Sequence, residues 1–245
     1  MIAELLANTG NAILGDTPPD GRGYWAARYW DRDAAESHPV LRDSFLQQKA
    51  VLGKYLAQYG QEARRVLEFA CGTGQFTRMA VDITNAPEIV AVDISKEGLA
   101  IARTRVPEAS VTFRHGDFWD CEDLGTADLV QCVDAIHHLG DVRDVLTRLH
   151  GFVEPGGLLV GNVWIKDHYH EFQRKRYGMV PHLCRTAGFL GTAVLIRVSN
   201  GRLRTGAYRT QLRSSDEVRE ILRSTFAELV EVTVHRYFMS FVCRA

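Results

Sequence analysis

The chain predicts an α/β fold: a doubly wound, mostly parallel seven-stranded sheet with N-terminal helices and an inserted antiparallel hairpin cap. Three observations carry this. Short apolar runs alternate with helical patterns from Val66 to Trp164, as in successive strand–helix–strand units. The first run passes straight into a turn of almost no side-chain bulk, Ala70-Cys71-Gly72-Thr73-Gly74, which opens a helix. Two extended runs, Leu229 to His235 and Tyr237 to Cys243, end the chain as a hairpin on the sheet edge.

Residues 1 to 23 read as a short helix followed by the turn-rich run Gly15-Asp16-Thr17-Pro18-Pro19-Asp20-Gly21-Arg22-Gly23. Tyr24, Trp25, Tyr29 and Trp30 then crowd into a short segment that either staples a helix to the core or covers a ligand. After His38-Pro39, helical spacing places Leu41, Phe45, Leu52, Leu56 and Tyr59 on one face, and Gly60 stops the helix. The first strand spans Arg65 to Phe69, and a helix begins at Gln75. The second strand, Glu88 to Asp93, precedes an N-cap at Ser95 and a helix from Lys96 to Val106. A third strand, Val111 to His115, leads into Gly116-Asp117-Phe118; a fourth, Ala127 to Val133, into Asp134-Ala135-Ile136-His137-His138. Asp141 caps a helix with Val142, Val145, Leu146 and Leu149 on one face. Glu154-Pro155-Gly156-Gly157 turns into a fifth strand, Leu158 to Trp164.

The pattern changes after Trp164. Ile165 to Gly188 is polar, basic and aromatic, and predicts one or two helices over the open end of the sheet. Its run Arg174-Lys175-Arg176 is either a solvated helix face or an attractor of an acidic substrate. Ala193 to Val198 and Leu203 to Leu212, joined through Asn200-Gly201, predict the hairpin cap. Ser215-Asp216-Glu217 starts a helix with Val218, Ile221, Leu222 and Phe226 inward.

Composition narrows the class. Lys plus Arg number 29 and Asp plus Glu 30, so no global excess of positive charge points to nucleic acid. Five cysteines stand singly, which argues for reduced thiols in a cytoplasmic protein and against a structural metal. No run is expected to be long and apolar enough to span a bilayer, and the N-terminus lacks the pattern of a signal peptide.

The glycine turn points to a ligand, because glycines let it approach the backbone and the helix behind them offers unpaired N–H groups. No Lys-Ser or Lys-Thr follows, which removes a phosphate-binding loop, and Thr77 stands where a dinucleotide fingerprint needs its third glycine. Asp93, about 20 residues on, ends the second strand as an acid that accepts from ribose hydroxyls should.

The remaining pattern, Glu68-x-Ala70-x-Gly72-x-Gly74, resembles the first motif of class I, Rossmann-like S-adenosylmethionine (SAM)-dependent methyltransferases, with Ala70 in place of a glycine. The resemblance implies that Glu68, Ala70, Cys71, Gly72 and Gly74 hold the methionine part of SAM. It implies Asp93 with Ile94 for the ribose, Asp117 and Phe118 for the adenine, and Val133 beside them. On the substrate side it points to Tyr24, Trp25, Tyr29, His168 and Tyr169. His137 and His138 are the catalytic candidates: one as packing under the loop, the other bordering the pocket or serving as a general base. Adjacent histidines diverge too far to form a metal pair unaided.

The expected activity is methyl transfer from SAM, released as S-adenosyl-L-homocysteine, to oxygen or nitrogen of a small organic metabolite or natural-product intermediate, with no nucleic-acid or membrane partner. The alternatives are an NAD(P)-dependent oxidoreductase on the same kind of sheet and a SAM-binding protein without turnover. The expected layout of this single domain is a helical lid over residues 1–60, a SAM-binding core over 61–164, a substrate cap over 165–214, and a closing helix and strand pair over 215–245. The sequence assigns neither the acceptor nor an oligomeric state.

Overall fold

The computed structural model describes residues 2–14, 22–199 and 212–245. Seven strands, β1 (Arg65–Phe69), β2 (Glu88–Asp93), β3 (Val111–His115), β4 (Ala127–Cys132), β5 (Val153–Trp164), β6 (Glu228–His235) and β7 (Phe238–Arg244), form one sheet in the order β3-β2-β1-β4-β5-β7-β6. β1 to β5 run parallel, and β7 lies antiparallel between β5 and β6. The mostly parallel α/β sheet expected from the alternation is thus present, with its closing antiparallel pair.

Two-residue periodicity sorts the side chains of β1. Leu67 and Phe69 join the apolar cluster under α8 (Val142–His150) and α11 (Ser215–Thr225). Val66 faces the other way, toward α4 (Pro39–Tyr59) and α5 (Gln75–Thr84). β1 pairs with β2 on one side and β4 on the other, and Phe69 is level with Val92 and Cys132. The strand order therefore reverses at β1, and the chain leaving its carboxyl end enters the crevice where sheets of this kind bind ligands.

Local signals set the helix ends. His38 caps α4, its Nδ1 accepting from the Val40 N–H at 3.2 Å, and Ser95 caps α6 (Lys96–Arg105), accepting from the Gly98 N–H at 3.1 Å. Both histidines of the fourth-strand motif fall on the short α7 (Ile136–Leu139). The Pro155-Gly156-Gly157 turn is absorbed into β5, which starts at Val153 and shifts register against β4 between Ala127 and Leu129.

Two expectations are overturned. Ala193 to Val198 is not a strand but the end of α10 (Met179–Val198), a helix that follows α9 (Tyr169–Tyr177) after Gly178 at φ 86°. The β-branched run looked extended by composition, yet a helix already under way continues through such residues at little cost. Residues 203–211 of the expected hairpin lie outside the described residues. Second, α10 is long and apolar enough to cross a membrane by length and composition, with a mean hydropathy of 1.3 over its most apolar stretch. His182, Thr186 and Ala193 are its buried side chains. It packs on α1 (Ile2–Leu14), where a side chain at Gly10 would meet the Phe189 ring at 2.6 Å. The helix escaped the sequence reading because Arg185 and Arg197 break up its apolar runs.

α11 begins with a reciprocal cap: the Ser214 hydroxyl accepts from the Glu217 N–H, and the Glu217 carboxylate accepts from the Ser214 N–H at 2.7 Å. The Ser214 amide and hydroxyl hold the Glu217 carboxyl down at about 2, against an ordinary value of 4.5. That depression stabilises the fold above pH 4.5 and is lost as the pH falls toward 2. Ser214→Ala should cost about 1 kcal/mol in urea unfolding at pH 7. The gap from wild type should narrow below pH 4.5; a gap unchanged down to pH 3 would contradict this cap.

Candidate functional site

At the reversal point lies a cavity of about 820 Å3. Its floor is built from the carboxyl ends of β1, β2 and β4, and its roof from residues 22–32 and the helices α9 and α10.

The floor starts at Glu68. Its side chain is 2% exposed, accepts from the Thr77 hydroxyl, and is pushed up to about 7 chiefly by burial. The chain then turns through three left-handed positions, Ala70 at φ 56°, Gly72 at 54° and Gly74 at 76°. Ala70 adopts the strained conformation that a glycine would take freely. Gly74 is needed on two counts, since a Cβ there would also meet the Ala102 Cβ at 3.0 Å. Over Gly72 a Cβ would meet nothing within 4 Å, so the loop backbone is open to the cavity.

Asp93 ties this loop to the next. One carboxylate oxygen accepts from the Gly72 N–H and the other from the Ser95 N–H, each at 2.7 Å. Each oxygen keeps a second lone pair for a ligand hydroxyl. Burial raises the Asp93 carboxyl above its ordinary value, against the pull of these amides. Asp117 Oδ1 accepts from the Trp119 N–H at 2.8 Å, and Arg22 approaches Oδ2 at 3.2 Å. Phe118 packs edge-on against Phe69 at 5.3 Å. Cys71, Ile94, Phe118 and Val133 all line the cavity. The structure thus gathers Glu68, Ala70, Cys71, Gly72, Asp93, Ile94, Asp117, Phe118 and Val133 on one wall. Gly74 sits just behind it as the N-cap of α5.

The two histidines part company. His138 lines the cavity 5.1 Å from the Trp25 ring, and burial lowers it to about 3, so it is neutral at physiological pH. His137 is fully buried and does not reach the cavity. Its Nδ1 accepts from the Trp164 N–H at 3.3 Å and its ring stacks on Trp164 at 4.6 Å. Its expected catalytic place is corrected to packing beneath the loop. His168 is also corrected: it points outward, is 68% exposed and meets Glu171. Tyr24, Trp25, Tyr29 and Tyr169 do line the cavity, and burial pushes the Tyr169 hydroxyl up to about 12.

Several wall residues were not anticipated. Asp134 stands in a left-handed conformation at φ 56°, its N–H donating to Asn162 Oδ1 at 2.6 Å. Its carboxylate accepts from Gln48 and pairs with Arg32, a guanidinium 4% exposed between the rings of Phe45 and Phe76. A strand-end acid was the available signal for Asp134; nothing local marks Arg32, 102 residues away in sequence. Trp164, Gln173, Tyr177 and Arg185 complete the aromatic and basic end, beside Trp30 of the aromatic segment that the sequence did single out. Among the described residues, no three His, Cys, Asp or Glu side chains cluster to hold a metal ion.

Known proteins resemble this chain in its core and in its fold. Residues 66–157 match the family model described as a methyltransferase domain. An uncharacterized methyltransferase of Mycobacterium bovis is 38% identical over 96 residues, covering 38% of this chain and 47% of that one. Trans-aconitate 2-methyltransferase of Delftia acidovorans is 26% identical over 137 residues, covering 56% of this chain and 50% of that one. The chain spans about half the length, or less, of the curated relatives it matches. DhpI, solved in complex with SAH, has the same fold at a TM-score of 0.60 and 21% identity, covering 91% of this chain and 94% of that one.

The loop geometry orders two substitutions. Gly74→Ala meets both an unfavourable φ and Ala102, and should cost about 1–3 kcal/mol. Gly72→Ala meets only the φ and should cost about 1 kcal/mol. Urea midpoints in the reverse order would refute this account of the loop.

Proposed function

Residues 66–157 carry a methyltransferase domain of the SAM-dependent class, and from that premise we propose that the protein methylates a small organic acceptor at oxygen or nitrogen. The observation that carries the reading is the continuity of the cavity: an open, left-handed loop and two strand-tip acids at one end, an aromatic and basic chamber at the other.

SAM, when bound, supplies an electrophilic methyl group on a sulfonium. Its fit rests on the open backbone over Gly72 and the spare lone pairs of Asp93. The loop from Glu68 to Gly74 takes the methionine part, Asp93 and Ile94 the ribose, and Asp117 and Phe118 the adenine, with Val133 against the base. The protein's task is then alignment and exclusion of water. His138, neutral and desolvated, accepts a hydrogen bond from an acceptor O–H or N–H and orients it. Its low basicity makes it a poor proton acceptor. Tyr24, Trp25, Tyr29 and Tyr169 shape the acceptor's chamber. Residues 22–32 serve as lid and α9 with α10 as cap, while α4, expected within the lid, instead packs on the face of the sheet.

Asp93→Ala should weaken SAM binding at least about tenfold by calorimetry, through lost hydrogen bonds to the charged carboxylate. Asp117→Ala should weaken it too, without disturbing the loop tie, while far-UV circular dichroism stays that of wild type. Unchanged SAM affinity in both variants, or tighter binding of NADH than of SAM by wild type, would remove the proposal. Because His138 stays neutral, its titration should leave no inflection in the methylation rate between pH 5 and 8. An inflection there that vanishes in His138→Asn would restore it as a base.

A further inference from the structure

The basic run of α9 divides by partner. Arg174 pairs with Glu4 at 3.3 Å and Lys175 with Glu171 at 2.6 Å, both away from the cavity wall. Arg176 turns inward, half-buried, and lines the cavity. Its guanidinium carbon lies 4.7 Å from the centre of the Tyr177 ring, and that of Arg185, on α10, lies 4.5 Å from the same ring. Arg176 also approaches Trp30 at 5.9 Å. A third cation, Arg28, reaches the cavity from the segment after α2 (Arg22–Ala26) and stacks over Tyr24 at 4.4 Å. Among the described residues, Arg28, Arg176 and Arg185 make no salt bridge, while Arg22 and Arg32 do.

The acids of the same cavity are spoken for, with one exception. Asp117 meets Arg22, Asp134 meets Arg32, Asp141 meets Arg213 at 2.6 Å, and Asp93 holds two amides. Glu68 is buried at the cofactor end with its carboxyl raised. Asp144 is the exception, and it stands on α8 rather than on α9 or α10. The roof therefore presents three guanidinium groups, two sharing one tyrosine ring, with no internal counter-charge. Arg28 spends one N–H on the Tyr24 carbonyl at 3.4 Å; Arg176 and Arg185, stacked on a ring, keep their forked donors for an oxyanion, which a planar guanidinium grips with two hydrogen bonds.

We infer that the acceptor is a small organic acid, its carboxylate or phosphonate oxyanion held by Arg176 and Arg185 with Arg28 beside them, and its apolar body among Trp30, Trp164 and Tyr169. The inference rests on the methyltransferase reading for the word acceptor, but the acid site itself stands on the roof alone. Arg176, Arg185 and Arg28 position the molecule; no proton transfer is asked of them.

The test uses the full chain and three probes of one shape, benzoate, phenylphosphonate and benzamide, titrated by calorimetry with and without S-adenosyl-L-homocysteine. Both acids should bind at least about tenfold more tightly than the neutral amide, as charge-assisted bidentate contacts imply. Arg176→Gln combined with Arg185→Gln should abolish that preference and leave S-adenosyl-L-homocysteine affinity unchanged. Arg174→Gln, whose side chain faces Glu4, should retain the preference. A stronger response to phenylphosphonate than to benzoate, or the reverse, identifies which oxyanion the roof suits, and either supports the inference. Equal binding of acid and amide, no acid binding at all, or a preference surviving the double substitution overturns it. Should the acids bind to a protein that binds neither SAM nor its product, the methyltransferase reading falls and the acid site remains.

Discussion

The carboxylate of Asp93 is the constraint on which the rest of the site depends. Its two oxygens hold the Gly72 and Ser95 amides, so one side chain sets the loop after β1 and the start of α6. It works beside the Cys71 N–H to Val92 carbonyl bond at 3.1 Å, the Gly74 N–H to Cys71 carbonyl bond at 2.9 Å and the Arg105 guanidinium on Thr73 at 3.0 Å to keep three left-handed residues in place. The tie also explains why strand order matters. β1 and β2 are neighbours, and their level carboxyl ends bring an acid on one within reach of an amide beyond the other. A group buried this deeply resists ionisation, and the two amides counter that cost.

A second tie works at the opposite lip. Asp134, at the end of β4, collects Arg32, Gln48 and the Asn162 side chain, and so joins the roof segment, α4 and β5 to the floor. Arg32 is enclosed by Phe45 and Phe76 and is matched by a carboxylate and amide oxygens, as a buried guanidinium must be. The two ties fasten the strand-tip end of the cavity, and neither reaches the wall of α9 and α10.

Much of the fold was legible because its signals are local. Period-two apolar runs, the caps at Ser95 and Asp141, and the glycine turn each declare themselves within a few residues. The strand-tip end of the cavity was legible for the same reason, since strand tips and the loop after β1 are named by short patterns. The acceptor end was not. Whether Arg174, Lys175 or Arg176 turns inward depends on where Glu4 and Glu171 stand, and Glu4 lies far away in the chain. Adjacent His137 and His138 look equivalent in sequence; only the Trp164 backbone shows that one is packing and the other wall. The apolar run before Asn200-Gly201 suited a strand as well as a helix, and α10 was settled by what precedes it at Gly178.

The thin burial of α10 has a consequence for how the cavity's roof is held. With His182, Thr186 and Ala193 as its interior contacts, this helix is far less anchored than the strands beneath it, whose central side chains are wholly enclosed. Regions with few buried apolar contacts open at a fraction of the global unfolding free energy. Local opening of this helix therefore costs less than opening of the strands that carry the loop after β1, so the roof and the floor of one cavity are fastened unequally.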